Sequence, residues 1–257
     1  MPPLYFVIPA IAIVMAGALL GTVELGYQRG LRTPADERLA SHATSWEAAL
    51  LGLLALLIGF TFAMAVTRFD HRRDLILDEA NAIESTALRG RYIDPPLRDR
   101  VEAVLVPYLE ARIRSYDAGM DMHLTYALYD EGEALQRQLW DQVVTLLEAH
   151  PDSESAVAFM ESADELVKAE ARRRAALENH VPLPVFAVLL MVAAAGMAAT
   201  GYSCGLYRRR LPLGMVLMPV LIVLVVAMVF DIDYPRAGVI RAGQRPLIRL
   251  QHTLANH

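Results

Sequence analysis

Apolar positions gather in four long runs and thin out between the second and third. The runs extend from Pro3 to Tyr27, Ala48 to Phe69, Leu183 to Tyr207 and Leu211 to Phe230. A hydrocarbon core about 30 Å thick is crossed by roughly 20 apolar helical residues. Within lipid a single segment satisfies its backbone only as a helix. Each run therefore predicts a transmembrane helix. A cleavable signal peptide is the rival reading of the first run. It fits poorly, because no basic residue precedes a run that is too long for a signal-peptide core. Only Arg208, Arg209 and Arg210 separate the third and fourth runs, which predicts an antiparallel hairpin closed by a tight turn at one membrane face. Pro212 suits the first turn of its helix, and Pro219 predicts a kink inside it.

Between the pairs, Asp70 to Asn179 is polar enough for water and keeps helical spacing of its apolar residues. No proline interrupts Trp46 to Leu88, so the second span predicts one helix continuing out of the bilayer. Leu75, Ile76, Ala82, Ile83 and Leu88 form its expected buried stripe. Gly90 and Asp94-Pro95-Pro96 break the chain. Further helices are expected over Leu97–Ser115, Thr125–His150 and from Ser153, a candidate cap, to Glu178. Pro107 falls inside the first of these. The reading is an all-α polytopic membrane protein with four transmembrane helices. A helical soluble domain (70–180) is inserted between the second and third. The expected units are 1–69, 70–180 and 181–232, followed by a tail over 233–257.

Composition adds exclusions. Hydrophobic residues make up 55% of 257 positions, more than a soluble domain of this size carries. The single cysteine, Cys204, allows no disulfide framework and no CxxC metal site. No basic tract carries interleaved aromatics, so nucleic acid is not an expected partner. No nucleophile, zinc, phosphate-loop or dinucleotide motif is present, so no enzyme and no cofactor is predicted. Asp117, Asp121 and His123 lack the spacing of a calcium loop and read as a solvated stretch. Asp78, Glu79 and Glu84 with Arg72, Arg73 and Arg89 read as a solvated helix face, or as pairs between subunits around an axis.

Four spans put both termini and the central segment on one side. Arg68, Arg72, Arg73, Arg172, Arg173, Arg174, Arg236, Arg241, Arg245 and Arg249 lie there. Arg29, Arg32, Arg38 and the arginine turn lie opposite, in a Gln28–Glu47 loop and the hairpin. The positive-inside rule favours a cytoplasmic central domain in a bacterial inner membrane; the arginine turn argues the other way.

The second span carries the candidate chemistry. Gly52, Gly59 and Ala63 form a small-residue strip suited to close helix packing. Another face carries Leu57, Thr61, Met64, Arg68 and Arg72. Around an axis, such a helix makes an apolar constriction with hydroxyls, and with arginines at its mouth. Packing against lipid or a bundle is the plain alternative. Glu24, the acid deepest in a span, reads as snorkelling. Asp231 and Asp233 close the fourth span and are weak ion-binding candidates.

Gly59-Phe60-Thr61-Phe62-Ala63-Met64-Ala65, followed by Arg68, Arg72, Arg73 and Asp78-Glu79-Ala80-Asn81-Ala82-Ile83, resembles the bestrophin-like membrane family of bacteria and plants. So do Asp231-Ile232-Asp233-Tyr234-Pro235-Arg236-Ala237-Gly238-Val239-Ile240-Arg241 and Gln244-Arg245-Pro246-Leu247. That family is distantly similar to the bestrophin anion channels, pentamers whose second transmembrane helix lines a hydrophobic neck. The chain has no acidic cluster like the bestrophin calcium clasp, for which Asp231 and Asp233 are a thin substitute. The resemblance implies a homo-oligomeric channel in the lipid bilayer with an inorganic anion, chloride, as permeant. On it, Ile58, Phe60, Phe62 and Met64 are the constriction candidates, and Thr61 and Arg68 the polar lining. The alternative is a non-conducting scaffold or signalling protein whose helical bundle binds a partner.

Overall fold

The computed structural model describes residues 4–34, 36–119, 121–210, 212–234, 240 and 242–255, with side chains from residue 9 to 254. Pro3, Leu211, Pro235, Arg236 to Val239 and Arg241, used above, lie outside the described residues. The described residues form eight helices and no strand: α1 (Leu4–Arg32), α2 (Glu37–Gly90), α3 (Leu97–Asp117), α4 (Met122–Ala149), α5 (Glu154–Glu178), α6 (Leu183–Leu206), α7 (Pro212–Asp233) and α8 (Arg245–Ala255). Four of them contain segments long and apolar enough to cross a membrane, within α1, α2, α6 and α7. The all-α, four-span architecture follows.

The Gln28–Glu47 segment is not the expected loop. α1 and α2 both continue into it, and among its described residues only Thr33, Pro34 and Asp36 lie outside a helix. Pro34 stops continuation. Asp36 Oδ1 accepts from the Arg38 amide at 2.9 Å, satisfying one of the unpaired donors at the start of α2.

The chain divides into two compact units. The first comprises residues 1–67 and 180–240. Its core is Leu19, Val23, Leu54, Leu189, Ala193, Met197 and the buried face of α7 around Val223 and Val226. α1 and α6 cross at four glycines. A Cβ on Gly26 would lie 2.1 Å from the Ala198 carbonyl oxygen, and one on Gly201 2.0 Å from that of Val23. Gly30 and Gly205 face each other's backbone in the same way. Both partners are glycine pairs four residues apart, which lets two backbones touch where lipid supplies no hydrophobic drive. Residue numbers rise together along the contact, so α1 and α6 run parallel.

The hairpin turn ends α6 in a defined motif. The Arg209 amide donates to Cys204 and the Arg208 amide to Gly205, with Arg208 at φ 51°. This is the six-to-one and five-to-two closure that normally employs glycine at the left-handed position.

The second unit comprises residues 68–179 and 241–257. Ile83, Val101, Leu105, Tyr108, Phe159 and Leu166 lie at its centre. Leu75, Ile76 and Ala82 are buried as expected, but Leu88 is 49% exposed and drops out of the stripe. Its place at the end of α2 is taken by Gly90, whose open side meets Val101 and Phe159. Asp121 and Ser153 cap α4 and α5 through the Leu124 and Ala156 amides. Asp121 is thereby explained without a metal. Within the segment read as a tail, Arg245–Ala255 form α8, with Leu247 and Leu250 in the core.

Candidate functional site

In the first unit, α2 turns one face inward and another outward. Leu54, Thr61 and Ala65 are buried, with Ile58 and Leu51 packed against the core. These positions repeat at three, four and seven residues, the helical period. Leu53, Leu56, Phe60 and Met64 occupy the other face and are exposed, Phe60 at 63%. A Cβ on Gly52 or Gly59 would meet nothing within 4 Å inside one chain. Within the first unit, backbone-to-backbone packing occurs at the α1–α6 glycines.

The expected lining residues therefore separate. Phe60 and Met64 share the exposed face. Ile58 and Phe62 are half-buried. Thr61 is buried, its hydroxyl donating to the Leu57 carbonyl at 2.7 Å. In a helix, alternate residues lie about 200° apart, so a run of every second residue cannot line one face.

Asp231 and Asp233 bind backbone. Asp231 Oδ2 accepts from the Ile240 amide at 2.9 Å, and buried Asp233 Oδ2 from the Val181 amide at 2.9 Å. These bonds tie both ends of the hairpin's connections, a structural use of the carboxylates. No cluster of three potential metal ligands exists among the described residues. Glu24 does more than snorkel: its Oε2 pairs with Arg210 at 2.7 Å, and Arg210 also lies over the Tyr27 ring at 5.2 Å.

In the second unit, three of the arginines that follow the second span, Arg68, Arg72 and Arg89, reach α5 or its C-cap residue Asn179. Arg68 donates to Asn179 Oδ1 at 2.6 Å. Arg72 is buried and donates to the carbonyls of Ala176 and Asn179 at 3.1 and 2.7 Å. These are the unpaired carbonyls that end a helix, where positive charge is favoured. Arg89 reaches the Ala158 carbonyl at 2.6 Å.

The solvated-face reading of α2 fails at Glu79. Its side chain is fully buried, with Oε1 accepting from Arg112 Nε at 2.5 Å and Oε2 from Arg173 Nη1. Arg112 also bonds Glu170 at 3.2 Å and lies over the Tyr129 ring. Burial opposes the Glu79 charge, but the Arg173 and Arg112 guanidiniums prevail and hold its carboxyl below the usual range. For Glu170, burial outweighs the Arg112 charge and raises the carboxyl. Sequence pattern could not find this network, because its members come from α2, α3 and α5.

The Bestrophin-like domain model matches residues 42–247. The chain belongs to the Bestrophin-like family. No curated protein matches it. Two solved structures of a bacterial bestrophin homologue from Klebsiella pneumoniae, each a point variant, superpose over nearly the whole chain. One has a TM-score of 0.67 at 14% identity, covering 98% of this chain and 98% of its own. The other has a TM-score of 0.68 at 13% identity, covering 95% and 97%. The Bestrophin-like fold thus extends through both units, and the protein is an integral membrane protein.

Proposed function

We propose that this Bestrophin-like protein assembles into a homo-oligomeric ion channel, with the membrane segment of α2 lining the conduit and an inorganic anion, chloride, as permeant. The observation that carries the reading is the exposed apolar face of α2. Leu53, Leu56 and Phe60 are exposed on it, with Met64 beside them, while the same helix buries Leu54, Thr61 and Ala65. Copies of that face around an axis form an apolar constriction, with Phe60 as its largest side chain and Ile58 and Phe62 at its flanks. Such constrictions gate by dewetting. Thr61 is then a packing residue, and Arg68 a helix-end cap. The central helices lie on the cytoplasmic side in this reading.

A second reading of selectivity rests on charge. Asp70, Asp74 and Asp78 stand exposed on successive turns of α2, while Arg68 and Arg72 are engaged with α5. Acidic rings favour cations. The test is flux from liposomes containing purified oligomer, with chloride and sodium gradients set separately. Chloride flux that rises in Phe60→Ala supports the primary reading. Sodium flux without chloride flux overturns the anion assignment alone. A folded oligomer passing neither ion overturns conduction, and leaves the scaffold role.

A further inference from the structure

The C-terminal ends of α1 and α6 lie together, because Gly30 and Gly205 are in backbone contact. Five arginines surround this end of the first unit: Arg29 and Arg32 in the last turn of α1, and Arg208, Arg209 and Arg210 in the hairpin turn. All five are exposed. Of the five, only Arg210 engages Glu24. Among the described residues, no carboxylate forms an ion pair with the other four. Asp36, Glu37 and Glu47 are nearby in the chain, but they pair with none of them.

Two features set this patch apart from a chance collection of charge. The left-handed position of the turn holds Arg208 where glycine is the unstrained choice. The chain therefore accepts a local conflict in order to place a guanidinium there. Aromatic residues of the kind that settle at a headgroup layer stand at the same end: Trp46 is 70% exposed, Tyr207 is 55% exposed, and Tyr27 lies beneath Arg210. Arginine donors that match phosphate oxygens are thereby set beside aromatics of the interfacial kind.

We propose that this patch binds the headgroups of anionic phospholipids. The occupant follows from charge complementarity and from the aromatic residues that fix the patch at the bilayer surface. Helix-dipole compensation would account for basic residues here, but not for guanidiniums left exposed without carboxylate partners. The proposal is independent of conduction.

The test uses the full-length protein in detergent, titrated with phosphatidylglycerol or phosphatidylcholine. Retained lipid is read by native mass spectrometry, and the melting midpoint is read in parallel. The variant is R208G/R209Q, in which glycine suits the turn and preserves the hairpin. Wild type should retain phosphatidylglycerol in preference to phosphatidylcholine. The variant should lose about 30-fold in affinity, about fivefold per charge removed. Its melting without lipid should be no lower than wild type. Equal retention of both lipids, or undiminished preference in the variant, would overturn the proposal. So would inorganic phosphate or glycerol 3-phosphate raising the midpoint as much as the lipid, which would mark a soluble phosphate site instead.

Discussion

Gly201→Ala measures what holds the membrane unit together. The added Cβ would stand 2.0 Å from the Val23 carbonyl oxygen, whereas real Cβ contacts essentially never fall below 3.0 Å. α1 and α6 must part by about 1 Å at the crossing. A gap of that size forfeits up to about half of the attraction between facing atoms. Backbone faces backbone here, so no rotamer change relieves the clash. Overpacking of a fitted contact costs about 1–3 kcal/mol, and the upper part of that range applies. Alanine returns about 0.5–1 kcal/mol through helix propensity. The net loss is about 2 kcal/mol, or roughly 4–8 °C in melting midpoint for a chain of this length. Thermal unfolding in detergent, followed by the fluorescence of Trp46 and Trp140, reads it. Gly52→Ala is the control: its Cβ meets nothing within 4 Å, so only the propensity gain applies and the midpoint should hold or rise. The account of the crossing is refuted if G201A melts with wild type, or if G52A falls as far as G201A.

Arg112→Met leaves Glu79 buried with one partner fewer and should cost about 3–5 kcal/mol, because breaking a buried pair strands a charge. A midpoint unchanged in thermal unfolding would contradict the network. Glu170→Gln tests the sign of its titration. The native carboxyl is raised, so the stability Glu170 contributes is complete below the ordinary carboxylate range and is lost as pH rises through its native value. The variant should therefore gain on wild type as unfolding is measured from about pH 4 to 7; a gap independent of pH would refute this. Glu79→Gln should behave oppositely. Its lowered carboxyl contributes stability that is present above the ordinary range and is lost as pH falls through the native value. Arg208→Gly should raise the midpoint without lipid, because the left-handed position costs an arginine about 1 kcal/mol; a lower midpoint would mean that the side chain holds the turn.

The spans, the hairpin and the unbroken α2 were legible because they depend on signals confined to a segment: apolar length, proline and a run of arginines. The caps at Ser153 and the buried stripe through Ile83 are local in the same sense. What escaped was set by meetings between segments. Gly26/Gly30 and Gly201/Gly205 are four-residue pairs, and Gly52 and Gly59, seven apart, were the more conspicuous for lying in the second span. Nothing within either segment shows which pair has a partner. Glu79 looks like its neighbours Asp78 and Glu84 until Arg112 and Arg173 arrive from other helices. Polar residues after Gln28 suggested a loop, yet polarity marks only the exit from lipid, and helices continue past it.

The family resemblance drew attention to residues 58–68 as a linear stretch, but a helix presents faces. Buried Thr61 and exposed Phe60 are adjacent in sequence and differ by about 100° around the axis. In the proposed channel the conduit along α2 is thereby limited to one stripe. On that reading, substitutions at Leu53, Leu56 and Phe60 would alter conduction with little effect on the fold of one chain. Those at Leu54, Thr61 and Ala65 would alter the fold first. A channel assay in which Thr61 and Phe60 variants behave alike, at equal stability, would mean that the stripe has been misplaced.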